Sequence, residues 1–222
     1  MGFLDRYRNP SDLPQRIPVF PLSGALLLPR ADLPLNIFEP RYVAMIEDAL
    51  ASHRLIGMIQ PAQEQVKDEV PGLLKVGCVG RITSYAETAD GRILVTLTGV
   101  SRFAIAGELD ADTAYRQVIA DYHPFAVDLV SDLGASEVNR PALLKAFRDY
   151  LNANNMNADW DQVDAASTEV LVNTLSLLAP YPPQEKQALL EAPDLKTRAD
   201  VLVALTEVAL RRMSSGGKSR LQ

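Results

Sequence analysis

Near residue 125 the spacing of apolar residues changes period, and that change constrains the fold more than any motif does. Upstream, apolar residues come in short runs broken by Gly, Pro and Asp; downstream they recur every three or four positions. Short runs of the first kind make strands, whereas the second spacing gathers side chains on one face of a helix. A β-rich half followed by a helical half is an α+β arrangement. The division predicts a β-rich subdomain over residues 1–125, a helical bundle over 126–213 and a disordered tail over 214–222, SSGGKSRLQ. With 222 residues the chain can bury a core without a disulfide or metal staple.

In the first half, Arg16–Phe20 (RIPVF) reads as a strand closed by Pro21. Leu22–Pro34 is apolar but interrupted by Gly24, Pro29 and Pro34, which predicts a packed loop, with Leu35–Phe38 extended after it. Pro40 suits the first turn of a helix, where its missing N–H costs nothing. That places Glu39 at the N-cap, its charge favoured by the helix dipole. The helix runs to about Ser52 with Tyr42, Val43, Ile46 and Leu50 on one face, and Leu55–Ile59 follows as a buried strand. Asp90-Gly91, between the β-rich runs Val76–Ala86 and Arg92–Ile105, has the chemistry of a tight hairpin turn. Ile93, Val95 and Leu97 alternate with Arg92, Leu94, Thr96 and Thr98, so both faces carry apolar residues, and Gly77, Gly80 and Gly99 ease bending. With Tyr115–Tyr122 as a further strand, about six short strands and one helix predict a small mixed barrel.

The second half reads as four helices. Asn139 caps the first, with Pro141 in its first turn and Leu143, Leu144, Phe147, Tyr150 and Leu151 as its stripe. Asp161 or a neighbour starts the next, with Val163, Val170, Leu171, Thr174, Leu175 and Leu178 inward. Pro180, Pro182 and Pro183 end it and open a third, Gln184–Glu191. Asp194 caps the last, which buries Leu195, Ala199, Leu202, Leu205 and Ala209 and closes on Arg211 and Arg212.

Several functions are excluded by what the residues lack. The net charge is −6, and residues 1–120 carry 12 basic against 14 acidic side chains, residues 121–222 10 against 14. Neither half has the basic excess that neutralises phosphates, so no nucleic-acid partner is expected. No run approaches the roughly 20 apolar residues of a membrane span, and the first residues lack a secretory h-region, so a cytoplasmic protein is expected with no membrane partner. Gly217-Lys218-Ser219 ends like a P-loop, but Arg212 stands where the first Gly belongs, so the tail gives no nucleotide site. His53 and His123 stand alone, which predicts no metal site; His53 follows the first helix, where a cation suits the dipole. Cys78, the single cysteine, reads as a small buried hydrophobe. Neither a GxSxG elbow nor any other local catalytic group is present, and Glu47-Asp48 and Asp68-Glu69 read as solvated pairs. No catalytic residue and no cofactor is expected, and the chain reads as a non-enzyme.

What remains unusual is apolar and framed by proline: Leu22–Pro34 and then PLNIFEPRY, Pro34–Tyr42. Leu26, Leu27, Leu28 and Phe38 either complete the core or form a patch that captures extended or unfolded polypeptide. Glu39, Arg41 and Tyr42 complete the candidate set; Arg41 either pairs with Glu39 to fix the loop or contacts a ligand backbone.

Those residues carry a family resemblance. Ile17–Leu50, and PLNIFEPRY above all, resembles the opening of the Lon protease N-terminal, substrate-binding domain family, in its stand-alone form. IGMIQP at Ile56–Pro61, GCVGRI at Gly77–Ile82, GVSRF at Gly99–Phe103 and LLAPYPPQEKQALLEAPDL at Leu177–Leu195 agree, so the resemblance covers roughly Ile17 to Met213. It implies a PUA-like mixed β-barrel followed by a C-terminal α-helical bundle, and recognition of polypeptide rather than chemistry. It also implies that the coiled-coil, ATPase and Ser–Lys protease modules of full Lon enzymes lie outside this chain. The expected function is a non-enzymatic polypeptide-binding or adaptor module, acting alone or delivering clients to a separate ATP-dependent protease. An RNA-binding PUA-like protein would instead need a Lys/Arg stripe, and a small-molecule hydrolase a deep pocket with convergent titratable groups.

Overall fold

The computed structural model describes residues 3–62, 71–89 and 92–216. The Asp90-Gly91 turn, the Asp68-Glu69 pair and Gly217-Lys218-Ser219 lie outside the described residues. Among the described residues, six strands and six α-helices follow in order: β1 (Arg16–Pro21), β2 (Asp32–Ile37), α1 (Pro40–Ala51), β3 (Leu55–Ile59), β4 (Val76–Glu87), β5 (Ile93–Leu109), β6 (Gln117–Asp121), α2 (Arg140–Ala153), α3 (Trp160–Ala165), α4 (Thr168–Leu178), α5 (Pro183–Glu191) and α6 (Leu195–Gly216). The strands form one mixed sheet in the order β2-β5-β4-β3-β1-β6, and β5 also pairs with β6. β5 makes this possible by its length: Ile93–Thr98 pairs with β2, and Ala104–Leu109, past a register shift at Ile105/Gly107, pairs with β6.

Glycines let segments approach closely at the bends. A Cβ on Gly99 would fall 2.0 Å from the Leu28 carbonyl oxygen, because the loop before β2 lies directly against β5 there. The contact is hydrogen-bonded: Gly99 N–H donates to Ala31 O at 2.9 Å, and Arg30 N–H donates to Gly99 O at 2.8 Å. Arg30 takes a left-handed φ of 63° to do so.

Leu26, Leu27 and Leu28 are core residues, 0–2 % exposed, and not a surface patch. They belong to a cluster that also contains Met45, Ile46 and Leu97 from the first half and Leu143, Leu171, Leu189 and Leu202 from the second. The loop, the sheet and the helices therefore share this one cluster. A second cluster, with Ile17, Val19, Val79 and Phe103, fills the sheet's interior. Between the halves sit a buried ion pair, Arg102–Asp128, and a partly buried one, Arg30–Glu169. Arg102 reaches Asp128 through Nε and Nη2 at 2.9 and 2.8 Å and donates to the Leu190 and Ala192 carbonyls, while Arg30 grips both carboxylate oxygens of Glu169.

The structure departs from expectation in several places. The long second helix is two, because Ser167 caps α4 and Ala166 is extended; of Asp161 and its neighbours, it is Asp159 that caps α3. On α4, Val170 and Leu178 are exposed and Thr174 faces out, whereas Glu169, Asn173 and Ser176 are buried. Binding Arg30, Pro29 O and Arg198 turns that polar face inward. On α1, Tyr42 and Ile46 are buried as the spacing predicts, and Met45 and Ala49 are buried with them, whereas Val43 and Leu50 are only half-buried. Leu94 is 44 % exposed, so the outer face of β5 is wet there. α6 runs on past Arg211 and Arg212 to Gly216. His53 is not a cation at a helix end: its Nδ1 accepts from Leu55 N–H at 3.0 Å, and burial, then Arg81, hold its pKa below the ordinary value.

Candidate functional site

PLNIFEPRY folds as strand, corner and helix start. Pro34–Ile37 lie in β2, Glu39 is the N-cap of α1 with extended φ/ψ, and Pro40 occupies the first turn. The cap carboxylate makes no bond to the helix backbone. It turns instead to Arg41, whose Nε and Nη2 donate to Glu39 Oε2 at 2.9 and 2.8 Å. Both side chains are about half exposed, so the pair fixes geometry more than it stabilises, worth about 0–1 kcal/mol. The Arg41 guanidinium also lies 4.6 Å from the Tyr42 ring centroid. Tyr42 is buried against Phe20, centroids 4.2 Å apart, and that burial raises its phenol pKa.

With Glu39 turned aside and the Tyr42 ring packed inward, Phe38 is left on the surface, 67 % exposed. It borders a groove of about 470 Å³ whose walls are β2 at Pro34, Leu35 and Asn36, the end of β1 with Leu22 and Ser23, and Tyr42. The lining is mostly apolar and rich in proline, with Pro21, Pro61 and Pro71 beside Pro34. The opposite wall is Ala114, Tyr115 and Arg116. Arg116 forks onto Glu108 (Nε–Oε1 2.5 Å, Nη2–Oε2 2.7 Å), which holds the Glu108 carboxyl below its ordinary pKa, and it donates through Nη1 to Pro71 O at 2.7 Å. Tyr115 donates to Asp48 Oδ2 at 2.7 Å; burial first, and that bond second, push its pKa up to about 12.

Of the candidate residues, Phe38, Glu39, Arg41 and Tyr42 meet at this groove, while Leu26, Leu27 and Leu28 lie beneath it in the core. Tyr115, Arg116 and Pro71 were not among the candidates, and no local pattern marks them: Tyr115 and Arg116 reach the groove through the β1–β6 pairing, and Pro71 lies beside the Pro61–Leu73 bridge, its carbonyl accepting from Arg116. Among the described residues, the charged side chains lining the groove pair with other side chains, Glu39 with Arg41 and Arg116 with Glu108, and Tyr115 is bonded to Asp48; proline and aromatic rings make up much of the remaining wall. Such a site can hold an apolar chain. Elsewhere, burial raises the Cys78 thiol pKa well above its ordinary value, which removes nucleophilic character. Among the described residues no cluster of His, Cys, Asp and Glu fits a metal ion, and no helix is long and apolar enough to cross a membrane.

Comparison with known proteins places this geometry in context. Residues 16–207 match the family described as the ATP-dependent protease La (LON) substrate-binding domain. The chain is 28 % identical over 214 residues to Lon protease 2 of Myxococcus xanthus and 26 % identical over 205 residues to the Lon protease of Heliobacterium modesticaldum. These alignments cover 89 % and 90 % of this chain, which spans about a quarter (24 %) of the length of each protease. Among solved structures, the N-terminal domain of the Mycobacterium avium complex Lon protease superposes with a TM-score of 0.63 at 20 % identity, over 86 % of this chain and 98 % of that one. A Lon N-terminal domain protein from Xanthomonas campestris gives 0.56 at 21 % identity, over 85 % and 97 %.

Proposed function

Because the chain belongs to the family of Lon substrate-binding domains, we propose that it is a polypeptide-recognition module whose binding surface is the Phe38 groove. The observation that carries this reading is the placement of one large aromatic side chain, 67 % exposed, on the rim of an apolar groove. A ring held out in water contributes nothing to folding, and burying it under a partner's apolar side chains favours association by about 1.5–3 kcal/mol. The prolines hold the walls in place, so little is lost in ordering them on binding. The groove binds extended, apolar segments reversibly and without nucleotide, and the module performs no chemistry of its own. Its partners on this reading are unfolded or extended polypeptides and an ATP-dependent protease that receives them.

The test is binding of the purified protein, without ATP, to an array of ten-residue peptides and to an unfolded model protein. Saturable binding enriched in apolar segments is expected, and Phe38→Ser should weaken it about tenfold while leaving the circular dichroism spectrum unchanged. Absence of saturable binding at millimolar peptide, or binding indifferent to Phe38, would overturn the assignment.

A further inference from the structure

The outer edge of β2 has no strand partner among the described residues. β2 stands at one end of the strand order and, among the described residues, pairs with β5 alone. The hydrogen bonds just before it settle which backbone groups face outward. Gly99 N–H donates to Ala31 O, so residue 31 turns its carbonyl toward β5. In an antiparallel pair, successive residues turn their N–H and C=O alternately toward and away from the partner. The register runs without a shift from Asp32↔Thr98 to Ile37↔Ile93. Leu33, Leu35 and Ile37 therefore bond to β5, and the backbone groups of Asp32, Pro34 and Asn36 point outward, on three exposed residues.

That edge presents carbonyls at residues 32, 34 and 36 and N–H groups at 32 and 36. The repeat is about 6.8 Å, the two-residue rise of a strand. A row of acceptors and donors at this spacing is complementary to an extended backbone and to no irregular one. Pro34 and Asn36 also belong to the groove wall, next to exposed Phe38. A strand laid on this edge would run along the groove and turn every second side chain into it.

We propose that the groove takes its ligand by strand addition: an extended polypeptide pairs with the outer edge of β2 and sets alternate apolar side chains against Phe38 and Leu22. This deepens the reading given under Proposed function and rests on it. The occupant is a foreign extended segment rather than a second copy of the chain. Symmetric antiparallel pairing of two β2 edges sets Pro34 against Pro34, where neither has an N–H to give, or, shifted by two residues, against Asp32 or Asn36, where each pair lacks one bond. The same proline and the charge of Asp32 are the features by which edge strands discourage self-association. An incoming strand that gives its own N–H to the Pro34 carbonyl makes one of the two bonds of that pair, where the Pro34–Pro34 pairing makes none.

The test uses the strongest ten-residue binder of the array in two N-methylated forms, one at every odd amide and one at every even amide. A strand edge reads one parity only. One form should lose at least about tenfold in affinity and the other should stay within about twofold, several hydrogen bonds being at stake in the first. On the protein side, Asn36→Pro removes an outward N–H without touching the β5 ladder; it should stay folded and weaken binding at least about fivefold. If Phe38→Ser abolishes binding while both methylated peptides bind like the parent, or both lose equally, strand addition is wrong and the groove assignment stands. If no array peptide binds, the groove assignment falls and this inference with it. A protein that dimerises in light scattering and becomes monomeric on Asn36→Pro would give the edge to a second copy and overturn the proposal.

Discussion

An alanine at position 99 would carry its Cβ to within 2.0 Å of the Leu28 carbonyl and 3.2 Å of the Pro29 nitrogen, so the loop and β5 would have to separate. Both hydrogen bonds of Gly99 to that loop would stretch, and the core leucines would move with them. Gly99→Ala is expected to cost about 3 kcal/mol or more, read as a fall in the urea midpoint at unchanged slope. Asp128→Asn tests a different kind of residue. It leaves Arg102, 1 % exposed, without its carboxylate and should cost about 3–5 kcal/mol in the same measurement, because an unpaired buried charge is worse than no charge. His53 gives a pH signature. Its folded pKa lies below the ordinary 6.5, so the unfolded chain binds the proton first as pH falls. Its contribution to stability is whole above pH 6.5 and diminishes below it. His53→Asn keeps an acceptor for Leu55 N–H without the titration, and the wild type should lose stability relative to this variant between pH 7.5 and 5.5.

At the scale of elements, the starts of α2 and α6 were legible in the sequence, whereas the start of α4 at Ser167 and the faces of the helices were not. Asn139 caps α2 and Asp194 opens α6 as their residue types suggest, the latter accepting from Thr197 N–H at 2.7 Å. Such a cap is decided within one turn, and Asp194→Ala should cost about 1 kcal/mol of stability by thermal or urea unfolding. The face of α4 could not be read that way. Hydrophobic spacing turns Leu178 and Val170 inward, but the helix is oriented by Glu169, whose partner Arg30 is 139 residues away. No local pattern reports a contact at that range. The groove shows the same division. Phe38, Glu39, Arg41 and Tyr42 were legible because they are contiguous, whereas Tyr115 and Arg116 arrive by sheet pairing. The exposure of Phe38 and the burial of Leu26–Leu28 have one cause: the loop runs under the helices before the chain turns outward at the corner.

For the whole molecule, the change of period near residue 125 marks a change of secondary structure and not a boundary between cores. Leu26, Leu28 and Leu97 share a buried cluster with Leu171, Leu189 and Leu202, and Arg102 on β5 reaches carbonyls at 190 and 192. The two halves should therefore unfold together. Fluorescence of Trp160, the sole tryptophan and a residue of the helical half, should follow the same urea transition as amide exchange in β5. Leu189→Ala, in α5, should lower both by about 2–5 kcal/mol; separate transitions would show two independent cores.

One carboxamide joins these scales. Gln60, 2 % exposed, accepts from Gly24 N–H at 3.1 Å on the groove loop and donates to Pro183 O and Gln187 Oε1, both at 3.0 Å, at the start of α5. Gln187 in turn donates to Val76 O and Glu191. For a lineage drifting by single steps, position 60 is nearly closed. Glutamate keeps the shape but turns a donor into an acceptor facing two acceptors, and leucine strands the Gly24 amide. The open route is a paired change at 60 and 187, so an alignment of relatives should show the two positions varying together and seldom apart.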